Sequence, residues 1–335
     1  MPLAIEVMTE RLRLAQPFRI SGHVFEHSDV VVVTLSDGEH VGRGEGGGVF
    51  YLGDDVAHML GAIESARSAI EAGPTCEELR AIMPAGGGRN AVDCALWDLE
   101  AARAALPAWR LAGERAPQPL RTTFTLGADT PERMAEGARR YADALSIKIK
   151  LTGDLDLDLA RVRAIRAARP DVWLGVDGNQ GFVIGQLDAL GAGLHEFGVS
   201  LLEQPLARGR EADLDGFASP IPIAGDESIV TLADVAPAAG RFDVVNIKLD
   251  KCGGLTEGLM MAAEARRLGM GVMVGNMIGT SLAMAPAYIL GQLCDIVDLD
   301  GPTFLAADRV PGAAYRDGLI AIGPEVWGSA QAVAA

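Results

Sequence analysis

Apolar and polar positions divide the chain into two parts with different patterns. Residues 5–14 alternate apolar and polar side chains as a strand does, and residues 31–46 predict two strands around an Asp-Gly turn. Helical spacing of apolar residues follows at 56–72 and at 89–105. The first part of the chain is therefore predicted to be an α+β domain.

From about residue 120 the chain repeats a unit of short apolar strand, polar loop and helix, with helical segments such as 131–145, 157–168 and 255–268. The eight candidate strands are 121–126, 145–150, 172–177, 199–203, 221–226, 242–248, 270–274 and 295–300. Because crossover helices return each strand parallel to the one before, eight such units predict a closed parallel barrel. We expect an α/β fold with a TIM-like barrel at 116–309. An α+β capping domain would occupy 1–115, with a tail, 310–335, packing back on it.

Charge and cysteine content narrow the class of protein. The formal net charge of −16, without clustered Lys and Arg, disfavours binding to nucleic acid or anionic membranes. No uncharged apolar run approaches the roughly 20 residues of a membrane span, and the first residues lack the apolar core of a signal peptide. The four cysteines are scattered, so we interpret them as reduced. These features predict a cytoplasmic protein whose partner is a small molecule or a cation.

Charged residues end six of the eight candidate strands: Lys150, Asp177, Glu203, Asp226, Lys248 and Asp300. Strands often finish in polar residues as they reach solvent, which would explain any one of them. Side chains at the carboxyl ends of barrel strands converge on one mouth, where active sites are built. Six charges on the same rim therefore favour a functional site.

Three of these charges are carboxylates on neighbouring strands, Asp177, Glu203 and Asp226. Held together they would repel one another, and a divalent cation relieves that repulsion. Oxygen ligands without His or Cys favour Mg²⁺, with Mn²⁺ as a substitute. Asn179 comes two residues after Asp177. It could bind a metal-bound water or the substrate, or it could be an ordinary loop residue.

Two lysines lie on opposite sides of this carboxylate arc. In a closed eight-stranded barrel the second and sixth strands are opposed, so Lys150 and Lys248 would face each other across the mouth. Acting as a base near neutral pH requires a lysine pKa below the usual value of about 10.4. Lys148 points the same way as Lys150, and adjacent ammonium groups disfavour double protonation. With one base on each face of a substrate, the pattern predicts removal and return of an α-proton with inversion.

Five segments carry a resemblance to a known family: SIKIK, VDGNQ, LLEQP, AGDES and NIKLDKCGG. In order and rough spacing they resemble the muconate-lactonizing subgroup of the enolase superfamily, which uses a Lys or His base with Mg²⁺. The resemblance implies a (β/α)7β barrel with a capping domain. It also implies metal ligands at Asp177, Glu203 and Asp226, and acid/base lysines at Lys150 and Lys248.

The last candidate strand gives the substrate class. Asp298 and Asp300 resemble the Asp-x-Asp signature of the dipeptide epimerases, and two carboxylates on one strand face can pair with a substrate ammonium group. The alternative is a solvated strand end before a Gly-Pro turn. TTFTLGADTPERM resembles the first barrel strand, which makes Thr125 a further candidate substrate contact.

Two loops of the first domain resemble those that read the substrate side chain. In Ala-Glu epimerases we expect an arginine near the end of the first loop, where this chain has His23, while Arg19 comes earlier. Phe50 and Tyr51 in the second loop are candidate pocket residues or core residues. Gly279 stands where many relatives carry an acid.

The sequence thus predicts a Mg²⁺-dependent dipeptide epimerase with one ion per subunit. It would invert the α-carbon of the C-terminal residue by two-base 1,1-proton transfer through a metal-stabilised enolate. The same site could serve N-acylamino acid racemisation, o-succinylbenzoate synthesis or muconate cycloisomerisation. A barrel that binds without turnover would lack at least one ligand or lysine, and all are present. The resemblance and the apolar composition favour a homo-oligomer.

Overall fold

The computed structural model describes residues 2–20 and 23–329. The first domain is a three-stranded antiparallel sheet packed against helices. Its strands are β1 (Ala4–Ile20), β2 (His23–Ser36) and β3 (Val41–Gly47), and its helices are α1 (Val56–Glu71), α2 (Cys76–Ile82), α3 (Gly87–Ala104) and α4 (Ala108–Leu111). A 3-10 turn, Phe50–Leu52, links the sheet to α1. This domain forms a cap over the barrel that follows.

Glycines in β3 explain how closely the cap sheet packs on α3. A Cβ atom at Gly42 would lie 2.2 Å from the Ala95 carbonyl oxygen, and one at Gly46 would lie 2.0 Å from the Gly87 carbonyl oxygen. Only residues without a side chain allow this approach of strand and helix. The packing places the end of β3, and the 3-10 turn after it, beside the barrel mouth.

The second domain contains eight parallel strands in the order of the chain. They are β5 (Thr123–Leu126), β6 (Ser146–Lys150), β7 (Trp173–Asp177), β8 (Leu201–Glu203), β9 (Ile223–Gly225), β10 (Val244–Lys248), β11 (Gly271–Gly275) and β12 (Ile296–Val297). The helices between them are α5 (Pro131–Arg140), α6 (Leu155–Ala168), α7 (Ile184–Glu196), α8 (Leu232–Ala238), α9 (Leu249–Cys252), α10 (Leu255–Arg267) and α11 (Ser281–Gly291). Short 3-10 turns occupy Glu211–Leu214 and Gly301–Phe304. The predicted barrel with a capping domain is confirmed.

The first and last barrel strands are joined mainly by side chains. The Leu299 amide donates to the Thr122 hydroxyl at 3.0 Å, and the Thr125 amide donates to Asp300 Oδ2 at 2.7 Å. The predicted strand 295–300 is shorter than expected, since β12 ends at Val297. Asp298 and Asp300 therefore lie just beyond the strand, at the barrel mouth.

The predicted strand 121–126 is divided in two. Residues Leu120–Arg121 form β4, which pairs with strand β14 (Leu319–Ala321) of the tail and, through it, with β13 (Ala314–Arg316). Further along the tail, Trp327 Nε1 donates to the Arg43 carbonyl of β3 at 2.8 Å. The described part of the tail thus contacts both the cap and β4, the short strand that precedes the first barrel strand. No helix in the described ranges is long and apolar enough to cross a membrane.

Candidate active site

Three buried carboxylates lie together at the barrel mouth. Asp177 ends β7, Glu203 ends β8, and Asp226 follows β9. Each is at most 1% exposed, and one oxygen of each lies within 4.8 Å of the others. Parallel pairing places Asp177 directly opposite Glu203. The register of the barrel therefore creates a cluster of hard oxygen ligands.

The two opposed lysines flank this cluster. Lys150 Nζ lies 2.6 Å from Asp177 Oδ2, and Lys248 Nζ lies 2.6 Å from Asp226 Oδ2. Three strands separate β6 from β10 in either direction around the barrel. The amines therefore approach the cluster from opposite sides, as the strand count predicts.

Lys148 lies deeper in the barrel than Lys150. Its Nζ is 2.7 Å from Glu203 Oε2, 2.8 Å from Asp298 Oδ2 and 3.4 Å from Asp177 Oδ2. Burial lowers the pKa of Lys148, but the carboxylates around it raise that pKa well above its usual value. Burial also lowers the pKa of Lys248, but the charge of Asp226 raises it, and the net result is a pKa above the usual value. The expected lowering of lysine pKa values is not found for these two residues.

The carboxylates differ in their affinity for protons. Burial and the charge of Asp177 raise the pKa of Glu203 to about 7. Burial acts in the same direction on Asp177, but Lys150 and Lys148 lower its pKa below the usual value. Burial and Asp226 raise the pKa of Glu227 to about 8. Packing so many acids into one buried site costs free energy that a divalent cation would offset.

Glu203 gives a direct test of whether the site fits a cation. Its Oε1 accepts a hydrogen bond from Asn246 Nδ2 at 2.9 Å. Its Oε2 is buried and, although Lys148 is near, has no aligned hydrogen bond within the described chain. Carboxylate oxygens without His or Cys are the donors that Mg²⁺ prefers. The donor set and this buried oxygen without an aligned hydrogen bond fit Mg²⁺ at Asp177, Glu203 and Asp226.

Lys251 is a site residue that the sequence analysis missed. It is fully buried on α9, and its Nζ donates to Asp226 Oδ1 at 2.6 Å, to the Ile229 carbonyl at 2.9 Å and to the Asn246 carbonyl at 3.1 Å. One signal was available, because the chain has only four lysines among 29 basic residues. All four lie at this mouth.

Backbone strain marks the two segments that follow the carboxylates. Asn179 and Gln204 have φ values of 43° and 34°, in the left-handed region that residues other than glycine seldom adopt. The Gln204 side chain accepts from the Asp226 amide at 2.9 Å. The Asn179 Oδ1 atom is buried without a hydrogen-bond partner in the described chain. Asn179 therefore presents an unused acceptor at the site.

Asp298 and Asp300 are both buried beside β5. Asp298 accepts a short hydrogen bond from the Thr123 hydroxyl and another from Lys148 Nζ at 2.8 Å. Burial and the charge of Asp298 raise the pKa of Asp300 to about 7. Thr125 donates its amide to Asp300 and lines a cavity of about 410 Å³ beside Tyr141. The two acids thus lie on the β5 side of the mouth.

The cap closes the mouth with aromatic side chains. A cavity of about 140 Å³ lies between the lysines and the cap, and its lining includes Phe18, Phe25, Phe50 and Tyr51. Phe50 and Tyr51 were predicted, whereas Phe18 and Phe25 were missed, since aromatic residues in a strand equally suggest core. The Tyr51 hydroxyl is buried without a hydrogen-bond partner in the described ranges.

The predicted loop residues Arg19 and His23 have side chains that lie outside the described part of the structure. Their backbones belong to the β1–β2 hairpin, where Arg19 pairs with Val24 and His23 with Ile20. Their roles stay predictions.

The structure shows what surrounds Gly279, whose role the sequence analysis left unexplained. A Cβ atom there would lie 3.1 Å from Glu45 Oε1. Glu45 reaches this place from β3 of the cap and accepts from the Thr280 amide at 2.7 Å, while Arg309 Nη2 lies 2.9 Å from its Oε2. An acid at 279 would be crowded against a buried carboxylate. In this chain a carboxylate of the cap, Glu45, therefore lies next to position 279.

Two family models match most of the chain. Residues 133–314 match the model described as "Enolase C-terminal domain-like". Residues 3–113 match the model "Mandelate racemase / muconate lactonizing enzyme, N-terminal domain". The two matches correspond to the barrel and to the cap.

Three proteins illustrate the similarity. The chain is 40% identical to the L-Ala-D/L-Glu epimerase of Escherichia coli over 316 residues, which is 94% of this chain and 98% of that protein. An Agrobacterium tumefaciens enolase family member with homology to dipeptide epimerases, solved with sodium and L-Ala-L-Glu, superposes with a TM-score of 0.94. It is 41% identical, over 98% of this chain and 100% of that chain. The dipeptide epimerase of Methylococcus capsulatus, solved with Mg and L-Arg-D-Lys, gives a TM-score of 0.87 at 29% identity, over 96% and 98% of the two chains.

Proposed function

The chain belongs to the mandelate racemase/muconate lactonizing enzyme family, within the enolase superfamily, and we propose that it is a Mg²⁺-dependent dipeptide epimerase. One observation carries the proposal: two lysines approach a buried carboxylate cluster from opposite sides of the barrel mouth. The epimerases similar to this chain support the same reaction class.

Asp177, Glu203 and Asp226 would hold the metal ion, with Mn²⁺ as a substitute for Mg²⁺. When bound, the ion would orient the dipeptide's terminal carboxylate, stabilise the charge that develops on it, and offset the negative charges that raise the pKa values of Lys148 and Lys248. Lys251 holds Asp226 in position through a hydrogen bond from its Nζ to Asp226 Oδ1. Asn246 orients Glu203 in the same way.

Lys150 and Lys248 perform the proton transfers in this proposal. One amine removes the α-proton of the C-terminal residue, which leaves a planar enolate, and the opposite ammonium delivers a proton to the other face. Because the lysines lie on opposite sides, the product has the inverted configuration. Lys148 stays between Glu203 and Asp298 and stabilises negative charge rather than moving a proton.

Asp298 and Asp300 would bind the dipeptide's ammonium group. Thr125 supports Asp300 through its amide. N-Acylamino acids and succinylbenzoate precursors carry no cation, so they would bring no positive charge to these two buried acids. The acidic pair therefore favours dipeptides over the alternatives of the same family.

Proton exchange in D₂O tests the substrate class. The enzyme with Mg²⁺ is incubated with a panel of dipeptides and with matched N-acetylamino acids, and deuterium at the α-carbon is followed by ¹H NMR. We expect exchange at the C-terminal residue of dipeptides. Exchange of an N-acetylamino acid without exchange of any dipeptide would contradict the proposal.

Other properties remain part of the proposal. The free thiols of the four cysteines support a cytoplasmic location. Membership of the family supports a homo-oligomer with one ion per subunit. We propose a cap of residues 1–115 with the tail 310–335, and a catalytic barrel of residues 116–309.

A further inference from the structure

We infer that this enzyme selects dipeptides whose C-terminal side chain is apolar and uncharged, and that Phe25 sets the selection. The inference rests on the proposed function, because it assumes that the C-terminal α-carbon lies between Lys150 and Lys248. It goes further by assigning the cap cavity of about 140 Å³ to one class of side chain.

Geometry at the reacting carbon directs the side chain toward the cap. A planar enolate has its two faces turned to the lysines, so its three substituents lie in one plane between them. The carboxylate is directed toward the acidic cluster and the amide toward Asp298 and Asp300. The remaining direction leads to the wall formed by the hairpin and by the 3-10 turn of the cap. The side chain must therefore enter this cavity.

The hairpin supplies aromatic side chains to that wall. Phe18 and Phe25 are cross-strand partners, so their side chains lie on the same face of the β1–β2 ribbon. The Phe25 ring centroid lies 5.6 Å from that of Phe50, and the Phe18 ring centroid lies 4.7 Å from that of Phe304. The ring contacts fix the wall against the cap and the barrel. Aromatic rings held in this way form an apolar surface.

Among the described residues, the opposite side of the cavity adds no charge with which an acidic side chain could pair. Met277 and Ile278 line it, and the Ser28 hydroxyl donates to the Ile278 carbonyl at 2.7 Å. Among the described lining residues the cations are Lys150 and Lys248, which lie against carboxylates and serve the proton transfer. An apolar side chain gains free energy on entering such a cavity.

A charged side chain would find this cavity unfavourable. A carboxylate would lose its hydration there, and the described lining offers it no cation besides the two catalytic lysines. Asp226 also lines the cavity and would repel a carboxylate, whereas an ammonium group would be repelled by Lys150 and Lys248. The Tyr51 hydroxyl can offer at most one neutral hydrogen bond. The inference therefore departs from the relatives that are named for glutamate.

Steady-state kinetics with four dipeptides test the inference. The substrates are L-Ala-L-Leu, L-Ala-L-Phe, L-Ala-L-Glu and L-Ala-L-Lys, each with Mg²⁺, and α-deuteration in D₂O gives the rate. We expect kcat/KM for the Leu and Phe dipeptides to exceed that for the Glu and Lys dipeptides by at least about tenfold, the ratio that a difference of 1.4 kcal/mol produces.

Variants at Phe25 test whether this residue determines which C-terminal side chains the enzyme accepts. Phe25→Arg should lower kcat/KM for L-Ala-L-Leu and raise it for L-Ala-L-Glu, which reverses the preference, whereas Phe25→Leu should keep the preference for apolar side chains. Met8→Arg adds the same charge on the half-exposed part of β1, outside the cavity lining, and should not change the ratio. Circular dichroism establishes that each variant is folded.

The outcomes distinguish failure of the proposed function from failure of the inference about side-chain selection. Absence of exchange with every dipeptide would overturn the proposed function. Exchange with a wild-type preference for L-Ala-L-Glu or L-Ala-L-Lys would overturn the inference alone. If Arg19→Met then removes a glutamate preference, selection belongs to Arg19 and not to Phe25. A preference for apolar dipeptides that Phe25→Arg does not alter would overturn the role of Phe25.

Discussion

Lys148 Nζ lies 2.8 Å from Asp298 Oδ2, and this ion pair joins the substrate-anchoring acids to the buried carboxylate cluster. Asp298 also accepts a hydrogen bond from the Thr123 hydroxyl, so both of its oxygens have partners inside the protein. Asp300 has its Oδ2 bound to the Thr125 amide. The two acids of one motif therefore differ in how much of their hydrogen-bonding capacity remains for a substrate.

Substitution of each acid should reveal this difference. Asp300→Asn should lower kcat/KM for dipeptides about 10- to 100-fold, the value of a charge-assisted hydrogen bond, and leave the Mg²⁺ affinity unchanged. Asp298→Asn should also lower dipeptide use far more than Mg²⁺ binding, with an added loss of kcat because Lys148 loses a partner. Steady-state kinetics and calorimetric Mg²⁺ titration measure the two effects. Parallel loss of metal binding and dipeptide use would count against an ammonium-binding role.

Mg²⁺ should stabilise the folded protein by relieving repulsion among the carboxylates. At 100 times its dissociation constant, the ion should raise the free energy of unfolding by about 2.7 kcal/mol. Glu203→Gln removes one ligand charge and should require at least about tenfold more Mg²⁺ for the same rise. Thermal denaturation at several Mg²⁺ concentrations gives both values.

The control for this experiment is Asp295→Asn, which removes a half-exposed carboxylate paired with Arg266 on the surface. It should respond to Mg²⁺ as the wild type does. An unchanged Mg²⁺ response in Glu203→Gln would argue that the three carboxylates do not form the metal site.

Lys251→Met should destabilise the fold more than a change on the surface. The substitution leaves Asp226 and the carbonyl groups of Ile229 and Asn246 without their buried donor, which costs about 3 to 5 kcal/mol. Urea denaturation gives the loss in free energy of unfolding. Arg67→Met breaks an exposed pair with Glu64 and should cost at most about 1 kcal/mol. Equal losses in the two variants would mean that Lys251 has no special structural role.

Asp93 should make the protein less stable as the pH rises from 4 to 6. Burial raises its pKa to about 6 in the fold, although Thr256 donates to it at 2.6 Å. Between the unfolded and folded pKa values the folded state binds more protons, so deprotonation at higher pH costs stability, about 3 kcal/mol by pH 7. Asp93→Asn should remove the share that Asp93 contributes and make the pH dependence in urea denaturation shallower than in the wild type, because other buried acids with raised pKa values remain.

A second carboxylate gives the matched control. The Arg103 guanidinium lowers the pKa of Asp37 in the folded state, and in the unfolded state an Asp titrates at about pH 3.9, so little of this titration falls between pH 4 and 6. Asp37→Asn should therefore leave the dependence between pH 4 and 6 as it is in the wild type. A pH dependence in Asp93→Asn equal to that of the wild type would contradict the raised pKa of Asp93.

Much of the barrel was predictable because its strands are short apolar runs with charged ends. The predicted strand ends at Lys150, Asp177, Glu203 and Lys248 agree with the structure to the residue. The division of strand 121–126 was not predictable, since Leu120–Arg121 pairs with a tail strand about 200 residues later. Pairing over such a separation leaves no local signal in the pattern.

The site residues were also predictable only where the local sequence carries a signal. Residues at strand ends were found by their charge, but Lys251 and Phe25 act through contacts made by other elements. Lys251 reaches Asp226 from a short helix, and Phe25 meets Phe50 only when the hairpin folds over the mouth. The lysine pKa values depend on the number of carboxylates packed together, which spacing along the chain does not give.

Stereospecific exchange by single-lysine variants tests the two-base account most directly. Lys150→Met and Lys248→Met are each incubated with Mg²⁺ in D₂O and with the L,L or the L,D form of the best dipeptide, and α-deuteration is followed by ¹H NMR. The account predicts that neither variant interconverts the two forms. Each should exchange the α-proton of only one form, and the two variants should exchange opposite forms. Interconversion by either variant, or exchange of the same form by both, would contradict it.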